Sequence, residues 1–283
     1  MLPDHSAKLH QQGRRSTMNA ISLKTEDLKA KDVIIVVMGP TGSGKSSFVQ
    51  AATGHEGIIG HNLRSYTTEI GFVELTRPEH CDADIVFVDT PGFDDTSDVQ
   101  ILEMIADWLK KTYRQNVTLS GILYFHRISD NRMAATPLKN VRMFEKLCGE
   151  DALSKVILTT TMWDEVDEEL GEHREQELRT HFWDAFISQG STTKRFKNTP
   201  ESAWGIVAGF LEASNQRFAT ELQQELVDLQ KDLPDTRAGQ EFYNTFSQLA
   251  KQRQDILVKI LNAMKHEHDE NILEALRAEY EAL

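Results

Sequence analysis

The sequence has little cysteine, no long apolar run and a deficit of positive charge. Two cysteines in 283 residues, Cys81 and Cys148, are too few for a disulfide framework and lack metal-ligand spacing, so they read as small buried hydrophobes in a reducing compartment. No stretch approaches the roughly 18 to 20 apolar residues that span a bilayer, and the N-terminus lacks the apolar core of a secretory signal. A cytoplasmic protein is expected. Lys and Arg number 31 against 44 Asp and Glu, and the resulting charge of -13 repels nucleic-acid phosphates and anionic headgroups. The expected partners are therefore proteins. What is present is 40% apolar residues, enough for a real core.

Residues 1–30 are polar, show no apolar period and read as a disordered tail. The β-branched run Val33 to Met38 has the pattern of a strand buried on both faces, and Gly39 ends it. Glu69 to Leu75 and Asp84 to Asp89 are two further strands joined by a link too short for a crossover helix, so the pair is expected antiparallel. Strands at Leu119 to Phe125, Val156 to Leu158 and Thr193 to Lys197 alternate with helices near Ser97, from Thr136 to Cys148, from Glu172 to Ser188 and from Pro200. This predicts a three-layer α/β domain over 31–212, its sheet mostly parallel with one antiparallel strand. From Leu211 to Leu233, apolar residues fall on one helical stripe until Leu233, Pro234 and Asp235 break it. Two more stripes follow, so 213–283 is expected to form a helical hairpin or coiled coil.

Gly39 to Ser46 matches G-x-x-x-x-G-K-[ST] between a buried strand and a helix. Glycines let such a loop bend until its amides and the helix N-terminus converge on phosphate oxygens. Lys45 is expected on the β and γ phosphates and Ser46 on magnesium. Asp89, Thr90, Pro91 and Gly92 follow a strand, with Asp89 placed to hold magnesium through water and the Gly92 amide to report the γ phosphate. Between the two motifs, Thr67, with Thr68 as the alternative, is the candidate switch hydroxyl for the metal. An antiparallel second strand favours a GTPase over a small-molecule kinase. GTPases select their base with an aspartate in N-K-x-D or T-[KR]-x-D, and Thr161, Met162, Trp163 and Asp164 stand in that place. Met162 replaces the basic residue, although it can still cover a ring face, and Trp163 can help. A closing base contact falls near Lys197, Asn198 and Thr199.

These strings, with Gly60 to Thr67, Phe93 to Asp95 and His126 to Met133, resemble a family of fungal G-domain proteins grouped near the AIG-type, Toc and septin GTPases. The resemblance covers roughly residues 31–215. It implies a G domain of the P-loop NTPase fold that binds GTP or GDP with Mg2+ and pairs face to face with a second copy. The nucleotide contacts fall on Gly39, Pro40, Thr41, Gly42, Ser43, Gly44, Lys45, Ser46, Ser47, Asp89, Gly92, Thr161, Met162 and Asp164.

Phe93 occupies the place where many GTPases carry a water-orienting glutamine, so slow hydrolysis is expected. The catalytic candidates are Lys45, Thr67, Gly92 and Arg127, with His126 and Arg132 in the same expected loop beside the nucleotide. His266, Glu267 and His268 lack the spacing of a helical metal site. Two functional readings stand: a GTP-hydrolysing switch, and a nucleotide-dependent assembly or scaffold protein with structural GTP whose C-terminal helices bind other proteins. An ATPase or kinase is a distant third.

Overall fold

The computed structural model describes residues 19–55, 69–76, 83–93, 98–131, 133, 136–212, 217–266, 278 and 280. The fold is built on β2 (Val33–Met38), whose six side chains are all buried. Parallel neighbours flank it: β4 (Ile85–Asp89) on one side, β5 (Gly121–Arg127) on the other, then β6 (Val156–Thr161) and β7 (Thr192–Arg195). β3 (Gly71–Thr76) pairs antiparallel with β4, as the short connection predicted. The sheet order is β1-β3-β4-β2-β5-β6-β7.

Helices cover both faces. On one, α1 (Lys45–Thr53) and α7 (Pro200–Glu212) enclose a cluster centred on Phe48, whose ring meets Phe87, Phe125 and Phe196 edge-on. On the other, α2 (Asp98–Arg114) and α3 (Thr136–Cys148) pack over Ile122, Tyr124 and Leu158. The three-layer α/β architecture with one reversed strand agrees with the sequence pattern. No helix among the described residues is long and apolar enough to cross a membrane.

Two expectations need correction. The expected tail over 1–30 is not irregular throughout, because β1 (Asn19–Ser22) pairs antiparallel with β3, and Leu28 is buried. Four residues with one exposed isoleucine carry no period, and the ladder to β3 supplies the order. The stripe from Leu211 to Leu233 is not one helix. After α7, Phe218 exchanges backbone hydrogen bonds with Leu119 in an isolated antiparallel bridge, and Thr220 then starts α8 (Glu221–Val227) with a reciprocal cap to Gln223. Leu222 and Leu226 are buried in the cluster that holds α2, whereas Leu229 is 64% exposed. The break expected at Leu233 to Asp235 is a single 3-10 turn with Pro234 near its start. α9 (Arg237–His266) follows and lays Phe242 on α3, with Lys139 Nζ 4.5 Å from the ring centre. α8 and α9 thus reach the core of the α/β domain through Leu222, Leu226 and Phe242, and Arg237 at the start of α9 pairs with Glu221 of α8 at 2.9 Å. The third stripe, Leu273 to Leu283, lies outside the described residues except for Tyr280.

Candidate nucleotide site

All four strands that carry candidate residues end at one edge of the sheet. Parallel β2, β4, β5 and β6 bring Gly39, Asp89, Arg127 and Thr161 to their carboxyl ends, where open α/β sheets bind ligands. The loop from Gly39 to Gly44 leaves β2 and enters α1 through Gly44, whose φ of 88 is left-handed. Lys45 is buried and folds back across this loop. Its Nζ donates to the carbonyls of Gly39 at 3.0 Å and Pro40 at 2.7 Å.

Ser46 donates to Asp89 Oδ2 at 2.6 Å, so the first and second phosphate motifs meet at the start of α1. Thr41 Oγ1 donates to the Gly92 carbonyl at 3.1 Å. A Cβ on Gly92 would stand 2.4 Å from the Thr41 nitrogen, so only glycine lets the two loops approach this closely. Thr90 is held under β2 by its hydroxyl, which donates to the Val37 carbonyl at 2.8 Å. Phe93 turns into the core, and its carbonyl accepts from Asn140.

The third motif is tied directly to the first. Thr161 is buried and donates to the Ser43 carbonyl at 2.9 Å, fixing the end of β6 against the phosphate loop. Met162 then adopts φ 57, ψ 40 and starts a 3-10 turn, Trp163–Glu165, in which Asp164 is exposed. Trp163 does not turn toward the phosphate loop. Its ring packs against Gly171 of α5 (Glu168–Glu177) and carries the Arg195 guanidinium at 4.2 Å, while Arg195 Nε donates to Glu175 Oε2 at 3.0 Å. That pairing holds the guanidinium pKa above its ordinary value. Asn198, at φ 54, and Lys197 lie just past β7, at the same edge as Asp164.

The basic candidates separate. Arg127 ends β5 rather than lying in a loop, and its Nη1 is 3.3 Å from where a Cβ on Gly42 would stand, directly over the phosphate loop. Asp130 holds it there, 2.9 Å from Nε. His126, expected in a loop beside the nucleotide, is instead an interior residue of β5 and only 3% exposed. Alternation along the strand sends it to the face opposite Arg127. Thr67, Thr68 and Arg132 lie outside the described residues. Asp130, Glu175 and Arg195 were not singled out in the sequence, where nothing distinguishes them from other surface charges.

Burial brings the His126 pKa down to about 4, only partly countered by Asp130. The imidazole is neutral when folded and takes up a proton on unfolding below the ordinary histidine value near 6.5. Its contribution is complete above pH 6.5 and is lost as pH falls toward 4. The expected loss is on the order of 3 kcal/mol at pH 4. Urea unfolding of wild type and His126→Phe across this range checks it. Parallel pH profiles would contradict the assignment.

The fold is shared with Toc33 from Arabidopsis thaliana. Its complex with GDP and Mg2+ is 21% identical, the match covering 69% of this chain and 88% of that one with a TM-score of 0.53. The complex with Mg2+ and GMPPNP gives 22% identity, 67% and 88% coverage and 0.52. A dimerization deficient mutant gives 21%, 67% and 87%, and 0.54. No individual curated protein matches the chain. The family model for the 50S ribosome-binding GTPase matches residues 34–180, just over half of the chain, spanning the phosphate loop, the Asp89 to Gly92 turn and Asp164, and the protein belongs to this family of P-loop GTPases.

Proposed function

We propose that the protein is a guanine-nucleotide switch that binds GTP with magnesium and slowly releases GDP and phosphate. The observation that carries this reading is the convergence of Lys45, Ser46, Asp89 and Gly92, joined through the 2.6 Å Ser46 to Asp89 hydrogen bond. In this reading the amides of Gly39 to Ser47 and the Lys45 ammonium hold the β and γ phosphates. Ser46 and Thr67, with Asp89 through water, would hold the metal, and hydroxyl and carboxylate oxygens are the donors a hard cation takes. When bound, that cation neutralises charge on the phosphates. The Gly92 amide senses the γ phosphate, and its loss releases the turn that Gly92 shares with Thr41. Toc33 in complex with GDP or GMPPNP and Mg2+ supports the same ligands here. Phe93, buried with an apolar side chain, cannot orient water, which supports a low intrinsic rate.

Asp164 selects guanine in this reading, with Thr161 and Met162 shaping the base pocket. Its carboxylate would accept from two donors on the ring. Losing these charge-assisted bonds costs on the order of 1.5 to 3 kcal/mol, about 10- to 150-fold in affinity. Asp164→Asn is expected to weaken GTP by that factor and to gain relative affinity for xanthosine triphosphate in calorimetry. Equal affinity of the wild type for ATP and GTP would overturn the base assignment.

A second reading, nucleotide-dependent assembly, is favoured by one observation. Toc33 has a dimerization deficient mutant, so that protein pairs. The resemblance of the sequence motifs to the AIG-type and septin-like GTPases points the same way. In this chain Arg127 is held over its own phosphate loop by Asp130, which leaves Arg132 as the candidate to reach across to a second copy. The C-terminal helices are then the surface for other proteins. Hydrolysis per molecule is expected to rise with protein concentration, and Arg132→Ala to flatten the rise with GTP affinity nearly intact. A concentration-independent rate from a monomer would exclude pairing.

A further inference from the structure

Methionine at position 162 brings no charge to the turn that carries Asp164, and its φ of 57 is left-handed backbone that persists where the surroundings impose it. The contacts that hold the turn converge on the next residue. Trp163 Nε1 donates to Thr160 Oγ1 at 3.1 Å, which ties the turn back onto the buried end of β6. The Thr160 hydroxyl shares its own hydrogen between Glu175 Oε1 and the Lys194 carbonyl, each at 3.4 Å. Glu175 Oε2 in turn accepts from Arg195 Nε at 3.0 Å and from Nη2 at 2.5 Å, a fork that only a guanidinium supplies. The same guanidinium lies over the Trp163 ring, 4.2 Å from its centre, and the circle of contacts is closed.

The surrounding elements are shaped for this ring. A Cβ on Gly171 would stand 2.7 Å from Trp163 Cζ3, so α5 keeps a residue that weakens a helix where the indole needs room. Thr160 and Arg195 are partners in the β6–β7 ladder, and β7 leads on to Lys197 and Asn198 at the edge where Asp164 stands. Asp164 itself is exposed and follows Trp163 directly. A recognition group fixed before its ligand arrives spares the ordering that binding otherwise requires.

We propose that Trp163, Arg195 and Glu175 are positioning residues for base selection, presetting the turn so that the Asp164 carboxylate meets the guanine ring and supplying the anchoring charge that Met162 lacks. The proposal rests on the reading of Asp164 given above.

Calorimetry of the full chain with GTP and magnesium tests it, in a cycle of Arg195→Ala, Asp164→Asn and the double variant. Arg195→Ala is expected to weaken GTP about threefold to tenfold, the range set by ordering one or two side chains on binding. Arg195→Lys is expected to lose nearly as much, because an ammonium can neither fork to Glu175 nor stack flat on the indole. Glu172→Gln is the silent control: Glu172 is 3.6 Å from Arg195 Nη1 but outside the closed circle. In the Asp164→Asn background, Arg195→Ala is expected to cost less than about twofold further, since the two residues act as one unit. Glu175→Gln keeps the shape of its side chain and replaces Arg195→Ala in the cycle if the alanine variant does not melt cooperatively.

Wild-type GTP affinity in Arg195→Ala, with Asp164→Asn weakened, would overturn the positioning role and leave the base reading standing. An equal loss from Arg195→Ala with and without Asp164 would also overturn it, assigning the effect to a general loosening of the fold. Undiminished GTP binding by Asp164→Asn would overturn the base reading, and the positioning role with it.

Discussion

GTP affinity of Lys45→Ala is expected to fall by a factor on the order of 10² to 10⁴. The ammonium lies inside the loop, bonded to the carbonyls of Gly39 and Pro40, so it is pre-positioned at the centre of the curve that the backbone makes. A cation already desolvated in this way gives strong charge-assisted hydrogen bonds to phosphate oxygens. Each contributes about 1.5 to 3 kcal/mol, and two of them give the stated factor. The substitution also removes the brace between α1 and the loop. Thermal unfolding without nucleotide separates the two effects: a melting temperature close to wild type with lost binding assigns the loss to the phosphates. Calorimetry with magnesium that returned wild-type affinity would refute the assignment of the loop.

The second large effect is expected from Gly39→Ala, and it is on stability. Gly39 has φ of 140, a conformation that alanine adopts only at a cost of about 1 to 3 kcal/mol. Its added Cβ would stand 2.5 Å from the Phe125 carbonyl oxygen, a backbone atom of β5 whose residue is paired with Thr159 of β6. Overpacking against rigid backbone adds about another 1 to 3 kcal/mol. Gly54 is the control, since its φ of 70 also disfavours alanine but, among the described residues beyond its chain neighbours, nothing is recorded within 4 Å of the new Cβ. Urea unfolding is expected to show Gly39→Ala losing at least about twice what Gly54→Ala loses. Equal losses would mean that the strand end shifts to absorb the contact.

How much of this was readable in advance depended on how local the cause was. The run Val33 to Met38 declared a strand buried on both faces because every side chain in it is apolar, and its burial is complete. The phosphate loop was legible for a similar reason: glycine spacing records backbone conformations that other residues resist, and Gly39, Gly42 and Gly44 all have positive φ. The reversed β3 followed from the length of its connection to β4. In contrast, the stripe from Leu211 to Leu233 had a convincing helical period and was still two elements. A period reports which side chains seek burial; it does not report whether the backbone between them bends to reach Leu119.

By itself, then, the sequence determined the α/β layering, the phosphate loop and the positions of Asp89, Gly92 and Asp164, because each is written in residues adjacent in the chain. Only the tertiary structure decided the rest. It turned His126 away from the nucleotide edge into the wall of a groove and hung Arg127 over Gly42, with Asp130 as its anchor. It packed Trp163 between Gly171 and Arg195, and it gave Asn19 to Ser22 a partner in β3. Each of these outcomes rests on a contact between segments brought together by the sheet, such as the Thr161 hydroxyl on the Ser43 carbonyl, 118 residues apart in sequence. The free energy of such contacts comes from burial and from hydrogen bonds between distant residues, and no local pattern encodes which of them will meet.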